Sequence, residues 1–577
     1  MLRRSLKDAA IALSLANLFF IGAWIPILDA SYDWPNKFDD LALNNIVALI
    51  LDVLLLAGAF FLLMTLARRS GNKLVLRLLR WAFVFVLLGI LGIAFFSQFP
   101  EFSLSRFALL RITYFNITEL RILGAVLLLL CALATMRRYR WLIAALGGLA
   151  VFLLPLGELQ LAGLVATIIV TCALIRWHGS VVTVAAGVAL IFFPLFLLTL
   201  FQSLTTLSKL ANVPNAPPAA RIAQPAPRVV WIIFDEMDYS LSFAKRPSTL
   251  VLPEFDRLRD RSLYAANAYP PADYTLVSMP ALISGKLVTR AQPVSPSEVM
   301  LSFEGTTEAV PWSAQPNIFS RSLELGLNTG LVGWYHPYQR IIGKNLTFSF
   351  VRSTRDLSLP KEMLLHLEQP MKAAAFDGSA RKLEGWKTQW DRETFLALYK
   401  DIREEAKRAA ANSDLGLVLI HYPIPHPPGI YRRDTQEFTA DGESSYLDGL
   451  ALADRTLGEV RSAMEQASLW NSSFILVSSD HWWRPYVWQG SSSWSPLDDE
   501  FVPAKEEINH RVPFLLKAPG QASELVYDSP FNTALTHDLL LSILRGEVSD
   551  ATSAARWIDQ HRSIAESPYG YEKSRQR

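Results

Sequence analysis

The chain has 577 residues, 51% of them hydrophobic, and a mean hydropathy of +0.23, too apolar for an ordinary soluble protein of this length. A formal net charge of +2 without a basic stripe excludes a nucleic-acid partner as the organising theme. The only two cysteines, Cys131 and Cys172, sit in apolar runs, which excludes a disulfide anywhere after residue 205.

The apolar excess is concentrated in residues 1–205. Runs long enough to span a bilayer fall near 8–29, 44–66, 79–98, 119–136, 140–156, 158–176 and 181–204, about seven helices in all. Pro155-Leu156-Gly157-Glu158 reads as the turn dividing the fifth from the sixth. Basic residues cluster in alternate loops: Arg3, Arg4 and Lys7; then Arg68, Arg69, Lys73, Arg77 and Arg80; then Arg137, Arg138 and Arg140; then Arg176. Arg106, Arg111 and Arg121 weaken the contrast. The positive-inside rule places the N-terminus in the cytoplasm, and an odd number of spans exports everything after 205. The first span is too long for a cleaved signal peptide. No array of intramembrane acids or histidines points to an ion pathway. The helices read as an anchor alone or as an anchor that also binds lipid, since one helix would suffice for tethering.

Residues 206–227 form a Pro/Ala-rich, semi-rigid linker. From 228 to 549 short β-rich runs at 229–234, 415–420, 473–479 and 512–516 alternate with helical stretches near 253–261, 317–325, 391–411, 446–467 and 534–545. That pattern predicts an α/β domain with a mainly parallel sheet sandwiched by helices. Residues 550–577 read as a polar tail. Chemistry in such sheets collects at the carboxyl ends of the strands. Asp235, His421 and the pair Asp480-His481 lie at those ends, and Thr275 follows a Pro-Pro turn. Carboxylate, hydroxyl and imidazole together suit a divalent cation, which activates a hydroxyl as a nucleophile. His421 reads equally well as a core histidine.

Six segments in order resemble the sulfatase branch of the alkaline phosphatase superfamily. Val230-Trp231-Ile232-Ile233-Phe234-Asp235-Glu236 resembles its first strand with paired metal-binding acids, and Thr275 to Gly285 its nucleophile segment. The run from Gly326 to His336 resembles its segment ending Gly-Lys-Trp-His, and Pro425-His426-Pro427 its Pro-His-x-Pro. Ser479-Asp480-His481 resembles its second metal segment, and Val512 to Gly520 its late strand. The resemblance implies a metal held by Asp235, Glu236, Thr275, Asp480 and His481. Zinc or manganese fits best, with calcium or magnesium allowed. It implies Thr275 as nucleophile, His426 as acid/base, and His336 and His510 as substrate contacts; Arg484, beside the aromatic run after His481, is a further candidate for a lipid phosphate.

Two departures carry information. Sulfatases mature a Cys or Ser to formylglycine, which Thr275 does not permit, and Trp334 with Tyr335 replaces the expected Lys before the histidine. A Thr nucleophile resembles the membrane-anchored phosphoethanolamine and phosphoglycerol transferases of the superfamily. Thr275-Leu276-Val277-Ser278-Met279-Pro280 is similar to the Thr-x-x-Ser-x-Pro of the former. The expectation is therefore a multi-pass protein of a bacterial inner membrane with a periplasmic catalytic domain. It would move a headgroup phosphoryl unit from a phospholipid donor to an envelope glycan or lipid acceptor. The alternatives are a hydrolase of phosphate or sulfate esters and a catalytically inactive envelope assembly module. The aromatic run Trp482, Trp483, Tyr486, Trp488 and Trp494 reads as a packed loop or as a platform for the headgroup layer.

Overall fold

A computed structural model describes residues 2–28, 43–69, 178–211, 216–217, 227–352, 357–368, 377–504 and 508–562. The chain divides into two compact units, one of Met1–Leu28, Asn44–Thr205 and Ser358–Glu384, the other of Asp29–Leu43, Thr206–Leu357 and Gly385–Arg577.

In the first unit the described helices are α1 (Leu2–Phe19), α2 (Ile21–Leu28), α3 (Leu43–Arg69), α4 (His178–Ile191) and α5 (Phe193–Ala211). The expected first span is broken at Phe20 and the expected last one at Phe192. Among the described residues two stretches, Leu43–Leu66 and Ala186–Ser208, are long and apolar enough to cross a membrane. The expected spans at 79–98, 119–136, 140–156 and 158–176 lie outside the described residues, as does most of the linker. Ala12 and Ala16 on α1 and Leu49, Val53 and Ala57 on α3 recur every fourth residue, so each set lines one helix face; they share a small core with Trp24 and Phe196.

One part of this unit departs from the sequence reading. Residues 358–384, expected inside the catalytic domain, belong here. After the helix Leu359–Leu365, His366 packs its Nδ1 2.7 Å from Asp52 Oδ2 and its Nε2 2.8 Å from Asn45 Oδ1, all three side chains buried. An acid and a histidine 314 positions apart leave no local pattern to read.

The second unit is built on an eight-stranded sheet of β1 (Arg228–Asp235), β2 (Leu263–Ala265), β3 (Thr329–Trp334), β4 (Phe348–Arg352), β5 (Leu417–Pro425), β6 (Ser473–Ser479), β7 (Phe514–Lys517) and β8 (Leu525–Tyr527). The spatial order is β8-β2-β7-β6-β1-β5-β3-β4. Pairing is parallel throughout except on the two sides of β7, so the sheet is mixed, with one reversed strand. β2, β3, β4 and β8 had no strand expectation; they are short or Gly-containing and give weak periodic signals. A separate three-stranded antiparallel sheet covers Val288–Ser295, Glu298–Phe303 and Ala309–Pro311.

The central strands are buried on both faces, which explains their unbroken apolar runs. Val229, Trp231 and Ile233 of β1 enter one core with Leu417, Leu419 and Leu476, while Val230, Ile232 and Phe234 enter the other with Val418, Ile420 and Val477. The first core is covered by α6 (Thr275–Ser284), the second by the C-terminal half of α7 (Asp377–Ala410) and by α8 (Tyr446–Gln466), and α9 (Thr536–Leu544) joins α6 on the first. The sheet unit also runs past the expected boundary at 549. α10 (Ala551–His561) starts from an Asp550 capping box and buries Ala551, Ala554 and Ile558 in the first core.

Candidate active site at the strand ends

Parallel register assembles the site. Ile233 of β1 pairs with His421 of β5, and Phe234 pairs with Ser479 of β6. Asp235, His421 and Asp480 therefore emerge side by side, and one ligand atom from each falls within 4.8 Å of the others. Ser479 ties the two turns together. Its hydroxyl lies 2.7 Å from the carbonyls of Phe234 and His481 and accepts the N–H of Met237 at 2.9 Å.

α6 brings the hydroxyl. Tyr274 is extended and Thr275 is the first helical residue, so its side chain lies at the positive end of the helix, where a phosphoryl oxygen is favoured. Thr275 Oγ1 lies 3.3 Å from Asp235 Oδ2 and 3.3 Å from His481 Nε2. His481 Nε2 is in turn 3.4 Å from Asp235 Oδ1 and 3.5 Å from Asp480 Oδ2. One turn further along α6, Ser278 Oγ donates to the Asp480 carbonyl at 2.5 Å. The far end of α6 closes on Gly285, whose φ of +72° suits glycine and whose added Cβ would lie 2.6 Å from His537 Nδ1. Gly285→Ala is expected to cost at least about 1 kcal/mol of stability, read as a lowered Tm in thermal denaturation.

The electrostatics are those of a cage made for a cation. Burial and the facing Asp235 push Asp480 up to about 8; burial pushes Asp235 up to about 7. Burial lowers His421 to about 4 and holds His481 well below the usual histidine range. Asp480 Oδ1 accepts the N–H groups of Glu236 and His481, while Asp480 Oδ2 has no hydrogen-bond partner. His421 Nε2 has none either, and its Nδ1 is held by the Tyr338 hydroxyl at 3.2 Å. Two orphaned, fully buried ligand atoms facing carboxylates, with donors about 3.3–3.5 Å apart, fit a divalent ion bound at about 2.0–2.2 Å.

The expected residues are distributed as follows. Asp235, Thr275, Asp480 and His481 come together. His421, which the sequence left open, joins them. Glu236 sits beside them with φ +63°, within 4.8 Å of Asp235 and His426, but its carboxylate accepts from Arg484 and Trp488. His426 stands between Trp334 and Trp488 at ring distances of 5.2 and 4.8 Å, with its Nε2 3.8 Å from Glu236 Oε2. His336, expected to face the substrate, is fully buried, is lowered to about 3 by that burial, and contacts the main-chain oxygen of Thr275 at 3.2 Å. It braces Thr275 from behind. His510 packs edge-on against Trp482 at 4.5 Å. The aromatic run is a packed loop at its start: Trp482 and Trp483 are buried, and Trp483 stacks on Tyr446 at 4.3 Å. A surface basin of about 1210 Å³ contains none of these residues, and its Arg403 and Arg461 are paired with Glu459 and Glu254.

Fold and site together define an α/β enzyme of the alkaline phosphatase superfamily, a hydrolase-type class whose members usually use a divalent metal. The chain belongs to the sulfatase family, whose family model matches residues 227–545. Similar solved structures include the PsFucS1 sulfatase from Pseudoalteromonas sp., at 16% identity and TM-score 0.39, covering 58% of this chain and 74% of that one. A phosphonate monoester hydrolase of Agrobacterium radiobacter matches at 11% identity and TM-score 0.36, over 55% of this chain and 74% of the other. A protein in the alkaline phosphatase superfamily from Vibrio parahaemolyticus matches at 14% identity and TM-score 0.33, over 57% and 69%. A search of curated proteins returns no match.

Proposed function

We propose that the chain is a membrane-anchored, metal-dependent transferase that moves a phospholipid headgroup phosphoryl unit, phosphoethanolamine or phosphoglycerol, through Thr275 to an envelope glycan or lipid. The observation that carries this reading is the Thr275 hydroxyl at a helix N-terminus, 3.3 Å from both Asp235 and His481. A threonine there matches a phosphoryl acceptor and not a formylglycine precursor. The apolar side chains Leu55 and Leu62 on α3 and Phe201 and Leu204 on α5 are exposed, which supports a lipid-facing anchor.

Asp235, Asp480, His481, His421 and Thr275 would hold the metal, which when bound lowers the hydroxyl pKa and offsets charge on the phosphoryl oxygens. The Thr275 oxygen, its proton already released to solvent, attacks phosphorus, and the bond from phosphorus to the diacylglycerol oxygen breaks. His426 gives that oxygen its proton, and diacylglycerol leaves. An acceptor hydroxyl, losing its proton to His426, then displaces Thr275 from the phospho-threonine adduct. Bacterial inner-membrane location and a periplasmic active site belong to the same proposal.

The test is peptide mass spectrometry of Thr275 in protein purified from its own membranes. A phosphoethanolamine or phosphoglycerol adduct is the expected result. A bare Thr275 together with rapid cleavage of small phosphate or sulfate esters would replace the transferase by a hydrolase. A bare, metal-free, inert protein would leave an assembly module.

A further inference from the structure

Of the two adjacent acids after β1, only one turns toward the cage. Asp235 continues the strand direction into it, while Glu236 takes a left-handed backbone conformation, φ +63°, that a non-glycine residue rarely adopts. The surroundings hold it there. The Glu236 N–H donates to Asp480 Oδ1 at 3.1 Å, its carbonyl accepts from the Tyr446 hydroxyl at 2.7 Å, and that hydroxyl also accepts the Asp238 N–H at 2.9 Å. A strained residue fixed from three sides beside an active site calls for a function.

What the turn achieves is visible at the carboxylate, which is fully buried. Oε1 accepts the main-chain N–H of Arg484 at 2.8 Å and the Trp488 indole N–H at 2.9 Å, with Arg484 Nε at 3.4 Å; Trp488 reaches Oε2 at 3.0 Å. Glu236 thus orients the backbone and the Nε edge of one arginine and the ring that packs on His426. Neither terminal nitrogen of Arg484 has a hydrogen-bond acceptor among the described residues, and neither is sealed off from solvent. The guanidinium also interacts electrostatically with Asp235 and Asp273. A cation fixed at two points with two free donors is a device for two oxygens of one anion.

We infer that Glu236 is a positioning residue and not a metal ligand: it aims Arg484 as a fork for the non-bridging oxygens of the tetrahedral anionic group. This rests on the phosphoryl-transfer reading of the same site. The rival arrangement is on the same atoms, since Asp235, Glu236 and His426 also lie close enough to hold an ion of their own. Against it, both carboxylate oxygens of Glu236 already accept N–H donors, and a cation there would face the Arg484 charge.

The experiment uses the full-length, metal-loaded protein in detergent and two readouts that need no turnover: metal per chain by elemental analysis, and affinity for inorganic phosphate by calorimetry. Glu236→Gln should keep the wild-type metal content and weaken phosphate binding about tenfold. Arg484→Gln should weaken it at least as much, and the double variant no more than Arg484→Gln alone, because the two act as one unit. Trp488→Phe, which removes one donor to Glu236, should give a smaller loss at full metal content. Loss of metal in Glu236→Gln would overturn the inference, and so would unchanged phosphate affinity in either single variant. Should Glu236→Gln not fold, Arg484→Gln and Trp488→Phe decide the matter by the same criteria. Failure of the phosphoryl reading itself would show as wild-type protein that binds metal but no phosphate.

Discussion

Thr275→Ala is expected to lower turnover of an activated phosphodiester by a factor on the order of 10³ or more, with little change in Tm. The size of the loss follows from the site's composition. Thr275 carries the hydroxyl that touches both Asp235 and His481, and the nearby Ser278 hydroxyl is committed to the Asp480 carbonyl. No described side chain stands ready to replace it. Thr275 is also buried at the first turn of α6, so alanine fits the backbone and the helix survives. Thr275→Ser keeps the oxygen and loses one methyl group, and should retain activity within about tenfold. The measurement is steady-state kinetics on purified protein, with intact-mass analysis to look for an adduct. Full activity in the alanine variant would remove Thr275 from the chemistry and the proposed transferase with it.

Stripping the metal with a chelator should abolish activity and make stability fall steeply as pH rises from about 6.5 to 8. The sign follows from the protons bound in each state. Folded Asp235 and Asp480 keep their protons up to about 7 and 8, whereas the unfolded chain loses them near 3.8. Asp238, Asp454 and Asp498 are raised by burial in the same direction, to about 6, 7 and 7. Above pH 6.5 the unfolded histidines are already neutral, so the folded state holds the excess protons and loses stability as they leave. Below that, buried His336, His421 and His481 resist protonation and oppose the trend. Adding zinc or manganese should raise Tm more at pH 8 than at pH 6.5, because at the lower pH the ion must displace protons. Thermal melts across that range, with and without metal, check both statements. A metal-free Tm that rises from pH 6.5 to 8 would mean that the buried acids are not protonated as described.

Much of this site was legible in the sequence because strand ends and the nucleophile segment are local features. Asp235, Thr275, Asp480 and His481 each sit at the edge of a recognisable apolar run, and the parallel pairing of β1 with β6 brings two of those edges together. What could not be read depends on long-range register or on side-chain direction. His421 was visible as a strand-end histidine, but only its pairing opposite Ile233 decides that it joins the cage. The placements of Glu236 and His336 escape the sequence for the same reason: one turns at φ +63° and the other sits behind α6, and neither rotation leaves a mark on composition. The strands at 263–265, 329–334, 348–352 and 525–527 were missed because short runs carry too little periodicity. The fold's central strands, by contrast, announced themselves through burial on both faces.

The spacing of the donors along the chain bears on how the protein folds. Thr275 follows Asp235 by 40 positions and precedes His481 by 206, and β1 must pair with strands that begin at 417 and 473 before the donors meet. No early, local fragment offers an ion more than one or two ligands. A metal therefore arrives after the central sheet has closed its long loops, when most of the barrier has been crossed. Its stabilisation accordingly belongs to the native state more than to the transition state, so it slows escape from the native fold and does little to hasten arrival there.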